Sequence, residues 1–357
     1  MGRIKNKKVV VAISGGVDSA VAALLLKKQG FEVFGVFMRL GENSVSAEQA
    51  ARAVCRKLGI KFFPVNVSGK FEKEVIGYFI ESYKKGLTPN PCVKCNKLIK
   101  FGELLRITKE LGADYLATGH YIRKLKVESG KFKVVKYKLF KGRDEGKDQS
   151  YFLYNLTQEQ LKRILFPLGD FKKDEIKRIA KEAKIPNQPS ESQDICFLVK
   201  DRIILDHNEF LKNHIKSKPG KIKTLDGKTV GEHKGLPFYT VGQRKGIEIG
   251  GIGPFYAVRM DYDKNILFVT NYPDDPELSK VVLIARDVNW ISGAAPKMPL
   301  ACQATIRYRS KAEDCAVTQE NGEYKVKFKK PQRAVTAGQS VVFYKNNELL
   351  GGGLIKM

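Results

Sequence analysis

A glycine-rich run between a predicted strand and a predicted helix has the composition of a phosphate-binding loop. Residues 14–19 read SGGVDS, after an apolar strand at residues 8–13 and before a helix at residues 20–28. Glycines let backbone N–H groups approach a phosphate, and the helix N-terminus adds positive potential. The run lacks the Gly-Lys-Ser/Thr ending of a Walker A loop, so it predicts a phosphate site of another type. The alternative is a glycine-rich turn that binds no ligand.

Three cysteines could perform sulfur chemistry. Cys92 and Cys95 form a Cys-x-x-Cys pair, and Cys196 lies much further along the chain. Thiolates are nucleophiles, and they pass sulfur on through persulfides and disulfides. A Cys-x-x-Cys pair can also be half of a zinc site, but such a site needs two more ligands at suitable spacing. The chain has four histidines and no second pair of this kind, which disfavours zinc.

The cysteine content indicates a reducing compartment. Six cysteines in 357 residues are too few for a disulfide framework, and no signal peptide precedes them. We therefore predict a cytoplasmic protein. The cysteines outside the candidate set are expected to be small buried residues, namely Cys55, Cys302 and Cys315.

The charge balance points to a polyanionic partner. Lys and Arg number 64 against 38 Asp and Glu, a formal net charge of +26. Thermophilic compositions enrich both signs together, whereas here only the positive sign is in excess. Nucleic acid is therefore the first candidate partner and an anionic membrane the second. The apolar stretch at residues 9–26 is interrupted by the SGGVDS run, so we predict no membrane span.

The elements that must position these residues alternate between strand and helix. Such alternation predicts a parallel sheet with helices on both faces. The following segment, residues 121–140, has the pattern of a polar β-hairpin. The predicted strands are residues 8–13, 31–38, 61–67 and 114–118, and the predicted helices are residues 20–28, 46–58, 96–111, 157–165 and 173–184.

The predicted secondary structure of the chain changes after residue 200. From residue 219 onward short strands lie between glycine and proline turns, and a last set of strands runs from about 281 to 355. We predict an α/β protein in which a parallel-sheet domain at residues 1–200 precedes a small β-rich domain at residues 201–276. A C-terminal β-barrel is expected at residues 277–357.

The motifs resemble those of a known enzyme family. The SGGVDS run is similar to the loop of the PP-loop ATP pyrophosphatases, which cleave ATP between its α- and β-phosphates. TPNPCVKCN at residues 88–96 and ESQDICF at residues 191–197 narrow the resemblance to the tRNA-specific 2-thiouridylases. The similarity continues at residues 147–151, 235–243, 307–309 and 338–341, so it covers essentially the whole chain.

The resemblance implies a reaction and assigns residues to it. It implies conversion of the wobble uridine at tRNA position 34 to 2-thiouridine. ATP with Mg²⁺ would adenylate the uracil C2 oxygen, and a protein persulfide would supply the sulfur. Cys95 would be the nucleophile and Cys196 the persulfide carrier. It also implies a tRNA-gripping barrel, base flipping, a sulfur donor such as a cysteine desulfurase or sulfur-relay protein, and a monomer.

Two sets of contact residues follow from the same resemblance. The ATP contacts would be Ala12, Ile13, Ser14, Gly15, Gly16, Val17, Asp18, Ser19, Met38 and Gly119. The contacts with tRNA or its target base would be Asn90, Pro91, Cys92, His120, Lys147, Asp148, Gln149, Arg307, Tyr308 and Gln339.

Position 92 departs from the pattern of many family members, which carry Asp there. A carboxylate role in proton transfer therefore does not transfer to Cys92. Three cysteines, Cys92, Cys95 and Cys196, could instead hold three irons of a [4Fe-4S] cluster. The persulfide relay and the cluster both remain open at this point. The rival functions are an ammonia-fed PP-loop ligase, which has no use for two reactive thiols, and a passive basic RNA-binding protein.

Overall fold

The computed structural model describes residues 7–41, 45–129, 134–186, 195–200, 203–204, 206–247, 249 and 254–356. Its helical segments follow the chain in the order α1 (Val17–Lys28), α2 (Val45–Leu58), α3 (Ser68–Phe71), a π-helix (Glu72–Ile76), α4 (Gly77–Lys84), α5 (Pro91–Cys95), a second π-helix (Asn96–Glu103), α6 (Leu104–Glu110), α7 (Gln158–Arg163), α8 (Lys173–Glu182) and α9 (His207–Lys212). Short 3₁₀ turns cover Ser150–Phe152, Cys196–Leu198, Leu236–Phe238 and Pro276–Leu278.

The strands of the described residues are β1 (Lys8–Ala12), β2 (Glu32–Arg39), β3 (Lys61–Asn66), β4 (Tyr115–Ala117), β5 (Ile122–Ser129), β6 (Val134–Lys141), β7 (Ile164–Leu165), β8 (Val199–Lys200), β9 (Ile203–Ile204), β10 (Gly220–Thr224), β11 (Thr229–His233), β12 (Tyr256–Asp261), β13 (Ile266–Thr270), β14 (Ser279–Trp290), β15 (Leu300–Thr305), β16 (Glu313–Glu320), β17 (Glu323–Arg333), β18 (Ser340–Lys345) and β19 (Glu348–Lys356).

The first sheet is parallel and is buried on both faces. Its strand order is β3-β2-β1-β4-β7. Successive strand residues point to opposite faces, so Val9 and Val11 pack with α1 and α2, whereas Val10 packs with α6. Burial on both sides explains why the strands read as continuous apolar runs. The predicted α/β fold is confirmed.

Two elements of this first region differ from the prediction. Residues 164–165 were expected to end a helix, but α7 ends at Arg163 and Ile164 adopts an extended backbone, so these residues form β7 beside β4. The helical stretch from Ser68 to Lys84 was not predicted. Both differences arise because pairing with distant elements overrides a short local pattern.

The predicted β-hairpin is confirmed, but it extends another sheet. Strand β6 pairs with β19 near the C-terminus, where Phe140 lies opposite Glu348 and Leu139 opposite Leu349. The hairpin therefore links the first region to the C-terminal barrel by a continuous ladder of backbone hydrogen bonds.

The rest of the chain is β-rich, as predicted. A four-stranded sheet has the order β11-β10-β13-β12. The C-terminal strands close an antiparallel barrel of six strands in the order β14-β17-β16-β15-β18-β19, because β14 also pairs with β19. Trp290, Val326 and Phe343 lie in its core. The domain boundaries near residues 200 and 277 stay predictions.

The described residues contain no helix that combines the length and apolar character needed to cross a membrane.

Candidate active site

The phosphate loop is held in one shape by its own side chains. Gly15 has φ +85°, and a Cβ added there would lie 2.9 Å from the Ala47 carbonyl oxygen, so glycine is required. The Ser14 backbone N–H donates to Ser19 Oγ at 3.1 Å, and Ser19 Oγ–H donates to the Gly16 carbonyl at 3.0 Å. No side chain among the described residues caps α1 at Gly16. The first-turn N–H groups are therefore open to a phosphate, and the loop fits ATP.

Asp18 at the start of α1 makes an ion pair that sequence reasoning missed. Its Oδ1 accepts hydrogen bonds from Lys173 Nζ at 2.6 Å and from Tyr121 Oη at 2.7 Å. The Lys173 side chain is 6% exposed and that of Asp18 34% exposed, so the ammonium is the more deeply buried partner. The sequence marks Lys173 only as the start of a predicted helix, which gives no sign of this pairing.

The residues predicted to contact ATP converge on one edge of the parallel sheet. Ala12 ends β1, Met38 is the penultimate residue of β2, and Gly119 follows β4. A Cβ on Gly119 would lie 3.0 Å from backbone atoms of Asp18 and Ser19, so this glycine allows the close approach. Open α/β sheets bind ligands at this edge, where neighbouring strands lead to opposite sides.

His120, which follows Gly119 at this edge of the sheet, is not protonated near neutral pH. It is buried, its Nδ1 is 2.8 Å from Thr118 Oγ1, and its ring is 5.6 Å from that of Phe101. Burial, together with the positive charge of Lys100, holds the pKa of His120 well below its usual range. Its imidazole is therefore neutral at pH 7.

The helix that carries Cys92 and Cys95 begins earlier than predicted. We expected a helix from Asn96 with Cys95 just before its N-terminus, but α5 starts at Pro91. Asn90 caps it, because its Oδ1 accepts the Val93 N–H at 3.3 Å, and proline suits the first helical position. Cys95 therefore lies one turn inside the helix, on the same face as Cys92, and the expected help from a helix N-terminus is lost.

The structure brings the three candidate thiols together. Burial raises the pKa of the Cys92 thiol and that of the Cys95 thiol. Cys196 is exposed, yet desolvation by surrounding protein, followed by the charges of Cys95 and Cys92, raises its pKa to about 12. The preceding residues of its motif, residues 191–194, lie outside the described residues.

An apolar cluster connects Cys95 and the neighbour of Cys196 to the edge of the parallel sheet where the predicted ATP contacts lie. Cys95 is buried beside Phe71 and Ile99, and both Phe197 and Met38 pack against this cluster. Phe197 follows Cys196 directly, and Met38 lies at the end of β2. The cluster therefore connects the predicted persulfide carrier, the predicted nucleophile and a predicted ATP contact.

The barrel holds the loop that precedes the cysteines. Gln339 Nε2 donates to the carbonyl oxygens of Thr88 at 3.0 Å and Pro89 at 3.4 Å. The Thr88 N–H donates to the Ala337 carbonyl at 2.9 Å. Gln339, predicted to contact tRNA, is thus placed where it also fixes the cysteine loop.

Replacing Gln339 by Ala should lower the free energy of unfolding by about 1 kcal/mol, because two hydrogen bonds between the barrel and the cysteine loop are lost. Chemical denaturation measures this change. The matched control is Gln332→Ala, since Gln332 Nε2 donates only to the nearby carbonyls of Lys330 and Pro331. Equal stability of both variants would mean that the docking bonds contribute nothing measurable.

Other residues predicted to contact tRNA make internal contacts. Asp148 accepts hydrogen bonds from the Gly142 N–H at 2.8 Å and from Ser150 Oγ at 2.6 Å, and burial raises its pKa. Gln149 Oε1 accepts the Tyr121 N–H at 3.0 Å. These bonds shape the segment that follows the hairpin. Lys147 is half-buried at its start.

Arg307 and Tyr308 lie where the barrel approaches the helix that carries Cys92 and Cys95. The Arg307 guanidinium donates to the Arg333 carbonyl at 2.6 Å. The Tyr308 ring is 4.4 Å from the Phe152 ring, and the Phe152 carbonyl accepts a hydrogen bond from Asn96 Nδ2 at 3.2 Å. Asn96, the neighbour of Cys95, was not singled out from the sequence, although its buried Oδ1 has no hydrogen-bond partner among the described residues.

A metal ion needs several donor side chains gathered around one point. Among the residues that the structure describes, no group of three or more His, Cys, Asp or Glu side chains is arranged to hold a metal ion. The donor set predicted for a [4Fe-4S] cluster, Cys92 with Cys95 and Cys196, stays a prediction.

Family models match three successive parts of the chain. Residues 7–200 match a tRNA methyl transferase HUP domain, residues 208–271 a tRNA methyl transferase PRC-barrel domain, and residues 280–355 an aminomethyltransferase beta-barrel domain. Among solved structures, a U34-tRNA thiolase from Methanococcus maripaludis with its [4Fe-4S] cluster is 21% identical, covers 60% of this chain and 75% of its own, and has a TM-score of 0.36. That score is too low to compare the two sites.

Two relatives that align with this chain over their full length have the same name. The tRNA-specific 2-thiouridylase MnmA of Francisella philomiragia is 43% identical over 367 residues, which cover 99% of this chain and 100% of the relative. The enzyme of the same name from Francisella tularensis subsp. novicida is 42% identical with the same coverage. The resemblance read from the motifs is confirmed, and the chain belongs to the tRNA-specific 2-thiouridylase family.

Proposed function

We propose that this protein catalyses the ATP-dependent 2-thiolation of the wobble uridine of tRNA. One observation carries the proposal. Met38, at the nucleotide edge of the sheet, packs against the apolar cluster that contains Cys95 and that Phe197, the neighbour of Cys196, also contacts. A phosphate site and two reactive thiols so connected suit one reaction that first activates an oxygen and then replaces it by sulfur.

The first half-reaction uses the phosphate loop. The open N–H groups at the start of α1 bind the phosphates of ATP, and the loop glycines allow the close approach. The uracil C2 oxygen attacks the α-phosphate, the bond to the β-phosphate breaks, and pyrophosphate leaves. Mg²⁺ enters with the nucleotide and neutralises phosphate charge. Asp18 is the carboxylate at this loop, and it is held by Lys173 and Tyr121 until the nucleotide arrives.

The second half-reaction uses the thiols. The terminal sulfur of a persulfide on Cys196 attacks C2, and AMP leaves with the former C2 oxygen. The Cys95 thiolate then attacks the Cys196 sulfur, which releases 2-thiouridine and leaves a disulfide between the two cysteines. An external dithiol reduces that disulfide. This scheme is the persulfide relay, and a [4Fe-4S] cluster on Cys92, Cys95 and Cys196 is its alternative.

The exposure of Cys196 suits its part in this scheme. A sulfur donor such as a cysteine desulfurase or a sulfur-relay protein must reach the carrier thiol, and Cys196 is exposed whereas Cys95 is buried. We further propose a cytoplasmic monomer, since the cytoplasm supplies the dithiol that resets the enzyme.

The alternative functions would leave either the pair of thiols or the phosphate loop of this site without a role. An ammonia-fed ligase or a methyl transferase needs no pair of reactive thiols, and a passive RNA-binding protein needs no phosphate loop. ATP–pyrophosphate exchange, measured with and without unmodified tRNA, and nucleoside mass spectrometry together test the proposal. We expect tRNA-dependent exchange and a product in which sulfur replaces one oxygen of uridine. Exchange driven by another acceptor, or an added methyl group, would overturn it.

Neutralising Lys147 and Arg307 together, as Lys147→Gln and Arg307→Gln, should weaken tRNA binding and flatten its salt dependence. Each lost phosphate contact reduces the slope of log K against log salt by about 0.7 to 0.9. Binding isotherms at several salt concentrations measure this. Exposed Lys97 and Lys311, replaced by Gln, form the matched control pair. A slope equal to that of the unaltered protein would place the tRNA footprint elsewhere.

A further inference from the structure

Two cysteines outside the candidate active site face each other in the C-terminal barrel. Cys302 on β15 and Cys315 on β16 are directly opposite in the antiparallel ladder. Their Sγ atoms are 3.7 Å apart, and both side chains belong to the apolar core of the barrel. The approach of the two thiols therefore follows from the pairing of two strands and does not depend on the conformation of a loop.

This arrangement suits a disulfide bond. A disulfide joins residues whose Cα atoms are about 4.4 to 6.8 Å apart, and directly opposed residues of an antiparallel pair are about 4.5 or 5.5 Å apart. Both cysteines are free thiols in this structure. Because the two sulfurs are already in contact, rotation of the side chains is the main movement that an S–S bond requires.

The pair lies near the end of the ladder between β15 and β16. The ladder ends at Ala304 and Glu313, two positions beyond the pair, and residues 306–312 connect the strands. That connection carries Arg307 and Tyr308, which are predicted to contact tRNA. Strand ends open locally more readily than strand centres, so a cross-link at this point limits the opening of the hairpin.

We propose that Cys302 and Cys315 are a redox-sensitive pair whose disulfide cross-links the base of this hairpin. Hydrogen peroxide is the oxidant. One thiol loses its proton and attacks a peroxide oxygen, the O–O bond breaks, and the departing hydroxide takes up that proton, so a sulfenic acid and water form. The second thiol attacks the sulfenic sulfur in the same way, the S–O bond breaks, and a second water leaves as the S–S bond forms.

The two sulfurs lose two electrons in all, and the peroxide gains them. An external dithiol reverses the reaction by thiol–disulfide exchange. Each cysteine is 8% exposed, so a molecule as small as peroxide reaches the sulfurs when the end of the ladder opens. The inference is independent of the proposed thiolation, because Cys95 and Cys196 take no part in it.

The test compares full-length protein, purified anaerobically, before and after treatment with hydrogen peroxide. Mass spectrometry of a non-reducing digest should show the peptides of Cys302 and Cys315 linked. The single tryptophan, Trp290, lies in the barrel core, so its fluorescence follows unfolding of the barrel in denaturant. The cross-link joins residues 13 positions apart, and loop closure of this length should lower the unfolding equilibrium constant about a hundredfold. Amides of β15 and β16 beside the pair should exchange hydrogen at least about tenfold more slowly, whereas those of β10 and β11 should not change.

Cys302→Ala and Cys315→Ala should each abolish these effects of peroxide, and dithiothreitol should reverse them in the unaltered protein. The matched control is Cys55→Ala, which removes a buried cysteine of α2 and should respond as the unaltered protein does. If a barrel variant does not fold, the oxidised and reduced samples of the unaltered protein still decide the matter. The proposal is overturned if no link forms in a sample whose Cys196 has been oxidised, or if the link forms and leaves both unfolding and hydrogen exchange unchanged.

Discussion

Cys95→Ser and Cys196→Ser should each abolish thiolation, with single-turnover rates reduced by about a thousandfold or more, whereas Cys92→Ser should reduce the rate only about tenfold. The persulfide cannot form without Cys196, and the sulfur cannot be released from it without Cys95. Cys92 lies on the same helical face as Cys95 but needs no covalent role in the relay, so its loss affects only the positioning or protonation of the base.

The measurement is sulfur transfer on anaerobically prepared protein, with bound iron and labile sulfide determined in parallel. Cys302→Ala is the matched control, because Cys302 is buried in the barrel and lies far from this site in the fold. We expect ATP–pyrophosphate exchange to persist in all four variants. Comparable loss of activity and of iron in the Cys92, Cys95 and Cys196 variants would replace the relay by a cluster and make Cys92 a ligand.

Local patterns in the sequence were sufficient to predict the elements around the phosphate loop. The apolar strand, the SGGVDS turn and the helix after it are neighbours in the chain, so their types and order fix β1, the loop and α1. In the structure α1 begins at Val17, inside the predicted loop. The first N–H groups of a helix have no partner within the helix, so this start leaves them open to a phosphate. The family resemblance, not the local pattern, named Met38 and Gly119, which lie at the ends of neighbouring strands, and their contact with ATP stays a prediction.

Long-range pairing accounts for what could not be predicted. Asp18 and Lys173 are 155 residues apart, and only the packing of α8 against α1 brings them together. The hairpin β5–β6 has an ordinary local signal, but nothing in it indicates that it extends the barrel sheet. The π-helix after Cys95 carries no turn or proline signal, so a regular helix was the natural expectation. Lys173, whose pairing depends on such a contact, was missed for that reason.

Asp18→Asn should lower ATP–pyrophosphate exchange by at least about a hundredfold while tRNA binding stays nearly unchanged. The substitution keeps the shape of the side chain and removes its charge at the phosphate loop, whereas tRNA contacts are spread over a large surface. It also removes the carboxylate that pairs with the buried Lys173 ammonium at 2.6 Å, so stability should fall by about 2 kcal/mol, a figure reduced because Asp18 is partly exposed.

A second substitution separates the two consequences. In the double variant Asp18→Asn with Lys173→Met, the ammonium that paired with Asp18 is gone as well, and an apolar side chain of similar length fills its place. Stability should return towards that of the unaltered protein, while exchange should remain as low as in Asp18→Asn, because the carboxylate at the loop is still absent. Tyr121→Phe, which removes the hydroxyl that donates to Asp18 at 2.7 Å, should retain most of the activity. If exchange recovered together with stability in the double variant, Asp18 would serve only to neutralise Lys173, and the phosphate-site assignment of its carboxylate would be wrong.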